Sequence, residues 1–439
     1  MPFSRRLVTP IVALAIVGLA LGGCSSAPGS TGGTTGTADG TVTIEGPLIG
    51  QDAKRLEQSW AGWEKANKIT IKYTGSANFN ENIGGEAQQG NAPDLAIFEQ
   101  PGLINDLASR GYIRTLPSTV QSTVDKTFTS QWVGYTTVDG KDYAAPLLST
   151  VNGWIFYSPS ALAKLGRKVP TNWSQLLTLS GQLFGVSHQV PWCEGFDSDS
   201  STGSLGASFV SDMVLREYGT SVYDKWVTHQ IKFNSPDILN GFADAGEVLQ
   251  NEDWVNAGFG GASSINTTTA AQVAQALESG KCQLSYEPSS FLDDLPTTTN
   301  GVETVSPGGP IWAFLLPPIK AGSAPYTESG DFIAGFSNDA DTVKVQNYLA
   351  SLSWANTRMK LGGAMSPALD ISPAASPNSL INASVVLVQA AVTTPRLSAG
   401  DLMPAVVGEG TYLSGIVDWI NGTPVQKVAT TIDSSWPSK

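Results

Sequence analysis

Hydrophobic and polar positions along this chain switch repeatedly between a period of two and a period near 3.6, and that switching predicts an α/β class. Thr41 to Glu45 alternates as a short strand, Asp52 to Asn67 carries apolar residues at helical spacing, and Lys68 to Tyr73 alternates again. These three segments form a βαβ opening. A turn signal over Asn91-Ala-Pro93 precedes an apolar strand, Leu95 to Phe98, and Leu103 to Ser109 reads as a helix closed by Gly111. After Pro146 a further apolar strand covers Gly153 to Tyr157, and Pro159 ends it before a helix from Ser160. The first crossing between two halves of the molecule is expected over Pro146 to Asn152.

Further along, a polar, Gly-rich stretch from Glu194 to Gly206 leads into an amphipathic helix that ends near Glu217. Thr269 to Ser279 is a second clear helix, followed by strands over Cys282 to Tyr286, Trp312 to Leu316 and Asp331 to Phe336. From Thr342 onward the pattern is mostly helical, interrupted at Pro367, Pro373 and Pro377. No internal repeat and no second hydrophobic span emerges.

The N-terminus has a different logic. Arg5 and Arg6 precede an apolar run from Ile11 to Leu21, too short for a stop-transfer helix and placed as a secretory signal would be. Leu21-Gly-Gly-Cys24 closes it in the manner of a bacterial lipoprotein signal. On that reading residues 1–23 are removed and Cys24 is diacylated, which would tether the chain to the extracytoplasmic face of the cell membrane. The alternative is an ordinary secretory signal in which Cys24 is incidental. Residues 24–40 are almost wholly Ser, Gly, Thr, Ala and Pro and read as a flexible stalk.

Without residues 1–23 the chain carries 23 Lys and Arg against 38 Asp and Glu, a formal charge of −15. That balance argues against nucleic acid as a partner. More than 400 residues remain, beyond the size at which one core stops growing, so two lobes are expected. Cys193 and Cys282, an even pair in an oxidising compartment, read as one disulfide, with two free buried thiols as the alternative. All 12 Trp lie outside the signal, beside 11 Tyr and two His. His188 and His229 have no nucleophile or metal-ligand spacing around them, and no phosphate-binding Gly-rich loop occurs. No catalytic residue, metal or cofactor is therefore assigned.

Three groups of residues carry a family resemblance: Ala92-Pro-Asp-Leu-Ala-Ile-Phe-Glu-Gln-Pro-Gly102, Pro191-Trp-Cys193 with Gly280-Lys-Cys282, and Asp401-Leu-Met-Pro404 leading to Asp418-Trp-Ile-Asn-Gly422. In this order and spacing the chain resembles an extracellular solute-binding lipoprotein of an ABC importer, in the group that binds maltose and α-glucosides. The resemblance implies an α/β, two-lobed, periplasmic-binding-protein-like fold with hinge strands and the ligand in an interlobe cleft. It implies a discontinuous division, 41–148 with 288–338 in one lobe and 149–287 with 339–439 in the other, both Cys then falling in the second. It also implies a carbohydrate ligand, an ABC permease as partner and a monomeric binding protein.

Matched motif by motif, the ligand-binding residues implied are Asn78, Glu99, Gln100, Asn152, Asp331, Arg396 and Tyr412. A sugar presents apolar faces and a rim of hydroxyls, so aromatic rings and planar polar groups suit it. Each residue has a plainer reading: Asn78 holds a turn, Glu99 and Gln100 end a strand in solvent, Asp331 and Arg396 form a structural ion pair, and Tyr412 is helix core. Glu287 reads as a hinge residue. Two positions depart from the family, since Thr202-Gly-Ser204-Leu205 lacks an aromatic and Leu413 stands where relatives often stack a ring. These losses count against an α-glucoside and for a smaller or differently shaped sugar. The competing classes are a binder of a non-sugar solute, such as a polyamine or peptide, and a secreted glycoside hydrolase with a carboxylate pair.

Overall fold

The computed structural model describes residues 39–187, 190–320, 325–390 and 395–438. The expected signal segment, the lipidated Cys24 and nearly all of the stalk lie outside them. Among the described residues no helix is long and apolar enough to cross a membrane.

The βαβ opening forms as its pattern predicts. Strand Thr41–Gly46 runs parallel to Thr70–Gly75, with helix Gly50–Asn67 between them. The second strand starts two residues later than expected because Lys68 adopts a left-handed conformation (φ 57°) that closes the helix. Leu95–Phe98 pairs on the other side of the first strand. Beside it lies Thr327–Gly335, antiparallel, and then Ala144–Val151, with the two-residue strand Arg396–Leu397 alongside Thr327 and Glu328. A second sheet has the order Trp312–Leu315, Trp154–Tyr157, Cys282–Glu287, Val190–Trp192. The chain passes between the sheets at Asn152 and Gly153. Gly153 has φ +77°, and a Cβ there would lie 2.3 Å from a carboxylate oxygen of Asp212, so backbone strain and close approach both select glycine.

Two hydrophobic cores pack on these sheets, and the second sheet contributes to both, with Trp154, Phe156 and the two Cys in the first core and Ile155, Tyr157 and Leu284 in the second. The first gathers Val42, Ile44, Leu56, Ile97, Leu148 and Phe332. The second gathers Ile155, Phe209, Trp226, Phe242, Tyr412 and Trp419. The division of the C-terminal part differs from the one expected at 339. Val345, Leu349, Trp354, Met359, Leu380 and Ile381 are buried in the first core, and Trp354 Nε1 donates to Ser59 Oγ at 2.8 Å on the first long helix. Only from Ala399 do buried residues join the second core. The helices over 340–359 lie where the helix Gly50–Asn67 needs a partner for Leu56 and Trp60, a tertiary demand that periodicity does not express.

Two other boundaries moved. The helix expected to stop near Glu217 covers Ser204–Val227, broken at Gly219 (φ 76°). The strand expected from Asp331 begins at Thr327, because polar Thr327, Glu328 and Ser329 find backbone partners in neighbouring strands. Cys193 and Cys282 are disulfide-bonded, their Cα atoms 5.7 Å apart at the edge of the second sheet.

Candidate ligand-binding cleft

Between the two cores lies a cavity of about 440 Å³. Its first wall grows from strand ends. Glu99 and Gln100 follow Leu95–Phe98 at the carboxyl edge, where parallel strands leave a crevice. Asp52 projects from the first turn of Gly50–Asn67. Asp331 enters through a bulge: the register of Thr327–Gly335 against Ala144–Val151 shifts between Asp331 and Phe332, where the partner strand carries Pro146. Proline lacks an N–H for the ladder, so the irregularity falls where pairing is already broken and turns Asp331 toward the cavity. Gly330 precedes it because a Cβ there would lie 2.5 Å from the Trp132 ring.

Arg358 completes this wall. Its side chain is 1% exposed, Nη1 donates to the Gly362 carbonyl at 2.6 Å, and Nη2 lies 3.6 Å from Asp52 Oδ1. Nε and Nη2 have no hydrogen-bond acceptor. Asn152 sits at the crossing, its amide donating to Ser329 Oγ at 3.2 Å. The opposite wall comes from the second half: Phe196, Leu205, Ala207 and Leu413 form its apolar part, and Asp401 and Glu409 its charged part. The two halves touch at the rim, where Ser200 Oγ donates to the Ala77 carbonyl at 3.3 Å.

The carboxyl groups in this space repel each other. Burial, then Asp331, Glu409 and Asp52, push Glu99 up to about 8. Burial and Asp52 push Asp331 up to about 7 against the opposing pull of Arg358. Asp401 is held well above the usual carboxylate range by burial and by Glu409 and Glu99. Glu409 is raised by burial, with a hydrogen bond from Gln100 opposing.

Of the residues implied by motif, Glu99, Gln100, Asn152 and Asp331 line one cavity. Three do not. Asn78 is exposed in the turn before helix Phe79–Gln89 and makes no side-chain cap. Arg396 forms a two-pronged pair with Asp224, Nε to Oδ1 at 2.7 Å and Nη2 to Oδ2 at 2.9 Å. Its partner is thus Asp224 and not Asp331. Tyr412 is fully buried among Trp226, Phe233 and Phe242, and its hydroxyl donates to the Ala207 carbonyl. Glu287 lines the cavity from the end of a second-sheet strand, with burial and then Glu194 holding its carboxyl well above the usual range.

Sequence reasoning missed Asp52, Arg358, Asp401, Glu409 and Phe196. Arg358 carried a faint signal, being four residues after Trp354 on the face that turns inward. None of the 12 Trp lines the cavity; Phe196 is its one aromatic among the described residues. Ser204 and Leu205, from the stretch that lacks the family's aromatic, and Leu413, where relatives often stack a ring, all stand in its wall.

Residues 50–353 match the family model described as bacterial extracellular solute-binding protein. The chain belongs to this family. The osmoprotective compounds-binding protein GgtB of Synechocystis is 30% identical over 399 residues, covering 90% of this chain and 92% of that one. The alpha-glucosides-binding periplasmic protein AglE of Rhizobium meliloti is 29% identical over 415 residues, covering 91% and 87%. Among solved structures, the bacterial solute receptor AcbH superposes with a TM-score of 0.75 at 16% identity, covering 90% of this chain and 97% of that one. The two sheets and two cores are therefore the two lobes of a periplasmic-binding-protein fold, with the cavity between them. The curated relatives that carry a ligand in their names are binding proteins.

Proposed function

We propose that this solute-binding protein captures a compact carbohydrate in the interlobe cleft and presents it to the membrane subunits of an ABC importer, without chemical conversion of the ligand. The observation that carries this reading is the set of buried polar atoms, on residues that line one cavity, that make no hydrogen bond: Gln100 Oε1, Asp401 Oδ2 and Arg358 Nε and Nη2. Buried polar atoms left unpaired cost about 1–3 kcal/mol each, so a ligand that offers both donors and acceptors recovers that cost. Hydroxyls do both. A cavity of about 440 Å³ is toward the lower end of the roughly 300–1,000 Å³ typical of small-molecule sites. Aliphatic Leu205 and Leu413 in the wall, with Phe196 the one ring in the described lining, leave little surface for stacking an extended α-glucoside. The names of two relatives, for osmoprotective compounds and alpha-glucosides, support the class of ligand.

In this reading Asp52, Glu99, Gln100, Asn152, Asp331 and Arg358 hold the ligand from one lobe while Phe196 and Leu413 cover it from the other. Closure then follows from a ligand that bridges the lobes. Cys24 serves as the lipid anchor on the extracytoplasmic face, and the protein acts as a monomer.

The test is a thermal-shift screen of the mature domain, begun after Cys24, against mono- and disaccharides, polyamines and peptides. A ligand at 100 times its Kd stabilises by about 2.7 kcal/mol. A shift with hydroxylated ring compounds supports the reading. A shift confined to linear polyamines or peptides rejects it.

A further inference from the structure

The cleft is more acidic than hydroxyl recognition alone explains. Seven Asp and Glu residues line it and Arg358 is the single basic residue among the described lining. Glu99 lies within reach of the charges of Asp331, Glu409 and Asp52, and Asp401 within reach of those of Glu409, Glu99 and Asp331. Arg358 offsets only part of this charge, since its one close ion pair is with Asp52 and its Nη1 goes to the Gly362 carbonyl. A neutral sugar leaves the remaining repulsion in place.

A second observation is independent of charge. Gln100 is 5% exposed and hydrogen bonds to Glu409, yet its Oε1 accepts nothing, and Asp401 Oδ2 is likewise without a donor. Both atoms belong to cavity-lining residues and stay unpaired although Gln100 bonds Glu409 and Ser329 bonds Asp401, so two acceptors remain on this acidic side with no donor in the protein to meet them. The far side has the opposite lack: Arg358 Nε and Nη2 have no acceptor, and Ser149 Oγ is unpaired.

Resting on the carbohydrate reading, we propose that the ligand is a hydroxylated ring compound bearing a protonated amine, an amino sugar or amino polyol, with its ammonium among Glu99, Gln100, Asp401 and Glu409. An ammonium supplies up to three N–H donors to one point and neutralises the repulsion there, while ring hydroxyls meet Arg358, Ser149 and Asn152. A quaternary ammonium fits poorly, because it needs aromatic faces and Phe196 is the one ring in the described lining. The raised Glu99 and Asp331 carboxyls are the state of the empty cleft, shedding charge that an ammonium would restore.

The experiment is calorimetric titration of the mature domain at pH 7, where the ring amines are protonated, with matched pairs in the gluco, galacto and manno series, each amino sugar against its neutral parent, together with chitosan dimer against cellobiose. In the pair that binds, the amine should bind at least about tenfold tighter, weaken as salt is raised, and lose about tenfold in Glu99→Gln and in Asp401→Asn. Circular dichroism of both variants separates lost affinity from lost fold. Parity, or preference for the neutral parent in every pair that binds, overturns the amine assignment and leaves the carbohydrate reading standing. Binding of spermidine with no ring compound bound removes both.

Discussion

Asp331 illustrates how one residue serves binding at the expense of the fold. It was legible from Ser329-Gly-Asp331, but its reason for facing the cavity is the bulge at Leu147, next to Pro146, which exists only once two distant strands pair. In the empty protein its carboxyl is buried beside the like charge of Asp52, which Arg358 only partly offsets. Asp331→Asn should therefore weaken ligand affinity by about tenfold or more while leaving the melting temperature of the empty domain unchanged or raised. Calorimetry and thermal melts on one preparation check both halves. Arg396→Ala makes the opposite case: ligand affinity should be unchanged, and stability should fall by no more than about 1 kcal/mol, since Asp224 is half exposed and surface pairs contribute little. Denaturant titration measures it. Arg396 and Tyr412 look like site residues in sequence because an Arg or Tyr near a cleft motif carries no mark of which way it points.

At the scale of elements, the strand Thr327–Gly335 decides the geometry of the cleft. Its first half reads as polar loop and its second as apolar strand, so the pattern showed half of it. Gly330 lets this strand lie against Trp132, and Gly330→Ala would place a methyl 2.5 Å from that ring. Overpacking of this kind costs about 1–3 kcal/mol, and the variant should unfold at correspondingly lower denaturant with weakened ligand binding through the displaced Asp331. The disulfide acts on another element, the edge of the second sheet. Cys193 and Cys282 are separated by 89 residues, and replacing both with Ser should lower stability by about 2–5 kcal/mol. Here the sequence spoke clearly, because with Cys24 assigned to the lipid only two cysteines remain, and they leave a single pairing.

For the whole molecule, the buried acids set the pH response. Glu99 and Glu328 stand near 8 and Asp331 near 7, against ordinary values of 4.5, 4.5 and 3.8. A carboxyl whose value is raised in the folded state keeps its proton there while the unfolded chain has lost it, so its stabilising contribution is full below about 4 and is lost as pH rises through 7 to 8. Empty protein should thus melt at a higher temperature at pH 5 than at pH 8. Flat melting temperatures across that range would show that the acids are solvated or paired. A bound cation in the cleft would reduce the slope.

The α/β class, the opening βαβ unit, the Cys pair and the family followed from the sequence by itself, because they depend on short-range periodicity and on residue types at fixed spacing. The lobe to which residues 339–397 belong, the facing of Arg358 and Asp52 into one cavity, and the exclusion of all 12 Trp from it were decided by tertiary structure alone. Those outcomes depend on which buried surface a helix or strand finds across hundreds of residues of chain. Periodicity says that a face will be covered; only packing determines what covers it, and which polar groups are left over to meet a ligand.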